Sequence, residues 1–540
     1  MRSCWRWVGP AAVAIAIAVG VACGGGSSDR SESNVVRPDG GSGNGGSSDA
    51  GPAVDAGMPD AGDGGADASV TIIPPSLGPA WKFYATAEGL PANNVMGVTA
   101  DEAGNLYVAG GDAGLFVQRG GQGPFQQYGI ADGLHPYGYL SGDMAKFKGV
   151  PDGAPSDPNP SLAATPVISV AGGAPGTVFV GYRGKDDCES AWTWDQWTTP
   201  ASWGDPAVYK SGDADRITLA GNGLSVVHYD IYSGPTVVAA EPGGREKLCT
   251  ILRIVYQHGS NYVWFGGNHG FAFGKADFPG NPTCNGQIAC AGVLEHVHPA
   301  FNDSEGNFVT DSYWGIAVDP VAQGGLHDVW FGGAARTTRF RFGQTGGDYF
   351  TAQGLTEDAK RPDRAPININ DPANAHFKAA WQNRVDVWAD EVGEYDAAGN
   401  PTVPTPAQWK AGLDLVSGIA ADPANNSVYI ASFGRGIRHL DHDGNFLGDI
   451  TKDPTDLTKG LFANNVSAIA IDTDGSLWVG YSYVGGISRI HKGGVIEHYA
   501  NVLGPQLVNS PVVDIQITPT SPRKVLFAFK SGAVAIYEGN

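Results

Sequence analysis

Between Leu90 and the C-terminus the apolar positions come in short runs broken by Asp/Gly or Asn turns, and the runs return. Asn93-Asn-Val-Met-Gly-Val, Asp101 and Leu106-Tyr-Val-Ala-Gly110 come back as Asn464-Asn-Val-Ser-Ala-Ile, Asp472 and Leu477-Trp-Val-Gly480. Each copy predicts a buried strand, a tight turn and a second strand that carries an aromatic residue and ends in Gly. The same unit is readable at Val95–Ala109, Val167–Gly181, Ile251–Gly266, Trp314–Gly332, Val416–Ala431, Ile469–Gly480 and Val512–Phe529. A Gly-rich step into a third strand follows at Gly111-Asp-Ala-Gly-Leu-Phe116, Gly434-Arg-Gly-Ile437 and Gly485-Gly-Ile487. A fourth strand is marked by an aromatic residue upstream of Gly-Leu: Tyr84 before Gly89-Leu90, Tyr128 before Gly133-Leu134 and Tyr349 before Gly354-Leu355, with Tyr499 before Gly504 a near match.

Four antiparallel strands per repeat is the composition of a propeller blade. The fold expected is all-β, a single β-propeller of seven or eight four-stranded blades. An eighth unit would lie between Lys360 and Leu413, built from Phe377–Trp381, Val385–Trp388 and Val392–Asn400; without it the step from Trp314 to Val416 is about twice the usual one. The strand Trp81–Tyr84 stands before the first complete unit and the last unit stops after three strands. The N-terminal strand is therefore expected to complete the C-terminal blade and close the ring, protecting the sheet edges. Domain boundaries follow: 1–22 a signal peptide, 23–80 a tether, 81–540 the propeller with insertions near 185–215, 275–292 and 356–410.

The ends change where such a domain would work. Arg2 and Arg6 precede an apolar stretch from Val8 to Val21 that is too short for a comfortable membrane span. It closes in Gly20-Val-Ala-Cys23, which resembles the lipobox of bacterial lipoproteins. In that family cleavage precedes the Cys and lipid is attached to it, so Cys23 is the expected lipidation site. The membrane would be met through that anchor alone, and the expected location is the cell envelope, at the outer membrane. The Gly/Ser/Asp/Ala-rich stretch to Ala80 has no aromatic residue and cannot offset its chain entropy by burial. As a flexible tether it reaches roughly 40 Å. Cys4 falls in the signal, which leaves Cys188, Cys249, Cys284 and Cys290. Four thiols allow three pairings. Cys284–Cys290 across a short loop and Cys188–Cys249 form one set; a zinc site is the alternative, without a C-x-x-C pair to support it. A formal net charge of -21 argues against a nucleic-acid partner.

The repeats resemble the two-component regulator propeller repeat, most crisply at Asn94–Val117, Ser417–Leu440 and Asn465–Ile490. Proteins of that family use their propellers as sensor regions that bind ligands, often glycan fragments. The resemblance implies that the loops entering each inner strand and those joining second to third strand share one face around a central channel. It places Asn94 and Asn465 there with their neighbours Asn93 and Asn464, and Asp112, His269, Arg336, Arg435 and Tyr483 nearby. Asn pairs also shape turns, because Asn tolerates left-handed backbone.

Other residues admit two readings. Trp192, Trp194, Trp197 and Trp203 crowd one insertion and form either a stacking platform for sugar rings or a small satellite core. Acidic turns at Asp472-Thr-Asp-Gly475 and Asp441-His-Asp-Gly444 lack the full calcium-loop pattern and read as hairpin turns, while Asp213 and Asp215 are the weak metal candidates. No cofactor is predicted, with calcium or another divalent ion as the alternative. The pairs His296/His298 and His439/His442 each lack a clear third ligand. No G-x-S-x-G, H-E-x-x-H or P-loop is present, so no catalytic residue is assigned. The function expected is non-catalytic binding of an extracellular glycan or protein. A lyase- or lactonase-type propeller with a metal at the channel mouth, and a structural subunit of an envelope assembly, are the alternatives.

Overall fold

The computed structural model describes residues 80–134, 166–184, 214–229, 250–268, 270–277, 295–297, 301–302, 308–309, 312–333, 336–343, 385–389, 416–453, 455–457, 459–483, 486–499 and 507–539. They form seven four-stranded antiparallel sheets and one small hairpin, Phe301–Asn302 with Phe308–Val309. In blades 1 to 7 the inner strands are Gly97–Ala100, Val167–Gly172, Ile251–Gln257, Tyr313–Gln323, Val416–Asp422, Val466–Ile471 and Val512–Ile517. Each inner strand touches that of the next blade, and blade 7 touches blade 1, so the ring is closed. All seven strand–turn–strand units read from the apolar pattern are the first two strands of a blade.

Blade 7 takes its outer strand from the other end of the chain: Trp81–Tyr84 pairs with Ala533–Tyr537, Trp81 opposite Tyr537. The Trp81 ring lies 5.2 Å from Tyr499, 5.5 Å from Phe527 and 5.0 Å from Tyr537, within the core between blades 6 and 7. The expected eighth blade does not form. Val385–Ala389 pairs with Arg336–Phe340 as the outer strand of blade 4, and the other two proposed strands lie outside the described residues. The doubled step between Trp314 and Val416 comes from long connections within and after blade 4, residues 344–384 and 390–415. Ala214 and Asp215, read as the end of an insertion, begin the third strand of blade 2.

Packing explains why the repeat has its spelling. The second strand ends in a small residue because the next blade's inner strand lies against it: a Cβ on Gly332 would meet Val416 Cγ1 at 2.2 Å, and one on Gly480 would meet Val512 Cγ1 at 2.5 Å. The aromatic on that strand is held by an acid at or near the far end of the inner strand. Tyr107 donates to Asp101 at 2.9 Å, Trp330 Nε1 to Asp319 at 2.9 Å and Trp478 Nε1 to Asp472 at 3.0 Å. Burial and the Asp101 charge push the Tyr107 hydroxyl far above its ordinary pKa, which keeps it a neutral donor. The same acids hold the turns: Ala103, Val321, Ala424 and Thr473 each donate a backbone N–H to the Asp of their own blade.

The Gly-Leu mark has a cause too. In Thr86–Glu88 the Glu88 carboxylate accepts the Ala85 N–H at 2.8 Å, Gly89 turns left-handed at φ 91°, and Leu90 is buried. Asp132, Gly133 and Leu134 repeat this arrangement after blade 1.

Candidate functional site

The inner strands leave a cavity of about 90 Å³ on the ring axis, at the end where they begin. One water needs about 10–15 Å³ by this measure, so the space suits on the order of six waters or a compact solute. Six of the seven inner strands carry a register shift at their first residues. In all six the residues that face the cavity sit within or just after the shift, namely Ile168-Ser169, Leu252-Arg253, Trp314-Gly315, Ser417-Gly418, Ser467-Ala468 and Val513-Asp514. Phe433, Ser482 and Lys530, which follow the second strands of blades 5, 6 and 7, complete the wall.

Three hydroxyls there tie blade to blade. Ser169 donates to the Ile251 carbonyl at 2.7 Å, Ser417 to Val466 at 2.6 Å and Ser467 to Val512 at 2.5 Å. Across the axis, Arg253 of blade 3 donates through Nη1 to Asp514 Oδ1 of blade 7 at 2.6 Å. Asp514 also accepts Gln516 Nε2 at 2.9 Å and the Val98 backbone N–H at 3.1 Å, and its side chain is 3% exposed against 25% for Arg253. Its carboxylate is thus consumed by the protein, whereas Arg253 has donors to spare. Two further lining residues hold buried polar atoms with no hydrogen-bond partner among the described residues: Trp314 Nε1 and Ser482 Oγ.

The rim residues expected from the repeat lie beside this cavity rather than in it. Asn94 is exposed with φ 58° and packs its carbonyl against Gly111, the turn role of a left-handed Asn. Asn465 Nδ2 donates to the Phe433 carbonyl at 2.8 Å and its own carbonyl accepts Ser482 N–H at 3.0 Å, so it positions two wall residues. Asp112 and Tyr483 are exposed on the second-to-third loops of blades 1 and 6, and Arg435 is half-buried on that of blade 5. Arg336 opens the third strand of blade 4. His269, Trp192, Trp194, Asp213, Cys188, Cys249, Cys284, Cys290 and Cys23 lie outside the described residues. Residues 185–213, which hold the Trp-rich segment and lie outside the described residues, come between the second and third strands of blade 2 in the sequence.

Asp215 is fully buried and accepts the Tyr182 hydroxyl. His439 and His442 part company: His439 stacks on Tyr429 at 4.2 Å, and His442 meets Asp319 at 3.0 Å. Among the described residues no three His, Cys, Asp or Glu side chains converge to hold a metal ion.

The residues that line the cavity were not singled out by local motifs. Their signal lies in aligning the inner strands: the column Gly97, Ser169, Arg253, Gly315, Gly418, Ala468 and Asp514 is small or uncharged except in the two blades that form the cross-axis pair.

A match to one family model agrees with the repeat over a single segment. The two component regulator propeller family matches residues 460–483, the second strand of blade 6 and what precedes it. No curated protein matches the chain. Two solved structures of the BT4673 extracellular domain from B. thetaiotaomicron, described as part of a hybrid two component system and of a one component system, share 11% and 12% identity with it. Each has a TM-score of 0.38 and matches 83% of this chain, which spans only 38% and 39% of theirs. The described residues form an all-β, seven-bladed propeller, and residues 460–483 of its sixth blade match the two component regulator propeller model.

Proposed function

We propose that this is an exported, lipid-anchored propeller whose channel mouth binds an extracellular ligand without turning it over. Lipid on Cys23 would anchor it and residues 23–80 would hold the ring clear of the membrane. Among the described residues no helix is long and apolar enough to cross a membrane.

One observation carries the binding reading: Trp314 and Ser482, both residues of the axial cavity wall, each hold a buried polar atom with no hydrogen-bond partner among the described residues. Leaving such a group unmade costs about 1–3 kcal/mol. A guest in the cavity that bonds to them would recover that cost. Convergent polar groups on a mostly apolar pocket are the usual form of a small-ligand site. The glycan and protein-segment classes suggested by the repeat are the ligands to screen.

The test is to screen glycans and peptides against the purified chain and repeat any hit with Lys530→Trp, which crowds the mouth. Loss of binding by a variant that still unfolds cooperatively is the expected result. Unchanged binding by that variant would move the site elsewhere, and chemical turnover of a bound ligand would overturn the non-catalytic reading.

A further inference from the structure

The chemistry of the cavity wall narrows the guest, on the reading that the channel mouth is the binding site. The wall has spare charge-assisted donors on Arg253, while the hydroxyls of Ser169, Ser417 and Ser467 have given their protons to backbone carbonyls and keep acceptor capacity. Arg253 spends one N–H on Asp514, and a guanidinium carries five. Trp314 offers an indole N–H, a donor only, and Ser482 a hydroxyl that can donate. Of the charged side chains on the wall, Arg253 and Lys530 are cationic and Asp514 alone is anionic. Asp514 has both oxygens engaged and is almost wholly covered, so it neither repels a guest strongly nor accepts from one.

Size adds a second limit. A cavity of about 150 Å³ accommodates benzene, and this one is about 90 Å³. The remaining wall is apolar: Ile168, Leu252, Ile316, Phe433 and Val513. We infer that the channel binds a short-chain organic monocarboxylate, its carboxylate toward Arg253 and the Trp314 N–H and its carbon chain against the apolar wall. Charge-assisted bonds from a guanidinium to a carboxylate are about twice as strong as neutral ones, which is the basis for selecting an acid over its amide.

Propionate and propionamide have nearly the same shape and differ in charge, so titration calorimetry of the full chain with each is the test. Propionate is expected to bind saturably with a dissociation constant of about 1 mM or tighter. Propionamide should bind at least about tenfold more weakly, the discrimination of one charge-assisted hydrogen bond. Trp314→Phe keeps the ring and removes the donor, and Lys530→Gln removes a cation. Each should weaken propionate about fivefold or more while the thermal midpoint stays near that of the parent.

Equal binding of the amide would overturn the carboxylate inference and leave the channel as the site. Absence of propionate binding, with a larger ligand still lost in Lys530→Trp, would do the same. Propionate binding unaffected by both variants would overturn the inference and the channel reading together.

Discussion

The two ends of the inner strands follow different rules. Away from the mouth, blades 1, 4, 5 and 6 repeat one residue, Asp101, Asp319, Asp422 and Asp472, each buried and each holding the turn of its own blade. In three of them the same carboxylate also takes the aromatic donor of the second strand. Blade 3 substitutes Gln257, which accepts Trp264 Nε1 at 3.4 Å. At the mouth the corresponding column is small in most blades and charged in two that face each other across the axis. What every blade needs is repeated; what the ring needs once is spelled in a single blade. Repetition therefore marks the scaffold here, and departure from it marks the channel.

The sharpest break of this contrast is Asp472→Ala. It would strip an acceptor from Trp478 Nε1, from the Thr473 N–H and from Arg523 Nε, which sits 2.6 Å from the carboxylate with its side chain 15% exposed. Arg489, 4% exposed and 3.9 Å away, loses a counter-charge as well, although Asp474 stays beside it. Removing one partner from a buried pair of this kind costs about 3–5 kcal/mol. The denaturant midpoint should fall accordingly, and ligand binding by the fraction that remains folded should be unchanged.

The mouth pair is expected to behave in the opposite way. Arg253→Gln with Asp514→Asn removes both charges and keeps amides able to bond to each other, to Val98 N–H and to Gln516. Neutral replacement of a desolvated ion pair is often close to neutral in stability, so the double variant should unfold within about 1 kcal/mol of the parent. Carboxylate binding should nonetheless be lost. A fall in stability as large as that of Asp472→Ala would mean that the cross-axis pair belongs to the scaffold.

This asymmetry also explains what the sequence disclosed. Seven strand pairs, the Gly-Leu turn and the closing strand Trp81–Tyr84 are all legible, because packing forces the same small residue, acid or aromatic into blade after blade, although not every mark into all seven. The blade count was ambiguous only where blade 4 carries its outer strand far along the chain, at Val385–Ala389. The channel was hidden for a physical reason: Arg253 and Asp514 are 261 positions apart and meet only because the ring closes. Asn94 and Asn465 stood out because they recur, and recurrence is the signature of turn and wall support, as the Asn465 contacts to Phe433 and Ser482 illustrate.

The smallest expected effect concerns blade 5, where the register shifts between His439 and Leu440 at the end away from the mouth. His439 is paired in register with Tyr429 and stacks on it at an interplanar angle of 6°. Its Nε2 is buried without a partner among the described residues. Burial lowers the His439 pKa, with the Asp422 charge opposing it more weakly, so the folded blade prefers the neutral ring. The unfolded chain then takes up the proton first as the pH drops through the ordinary histidine value near 6.5. Stability from this group is complete above that pH, declines as the pH falls from there to the lowered folded value, and changes no further below it. Comparing denaturant midpoints at about pH 7.5 and about pH 5.5 should show a steeper decline for the parent than for His439→Gln. Equal declines would mean that the buried ring does not titrate with unfolding. In that case the far end of blade 5 would be held by the Asp422 turn alone.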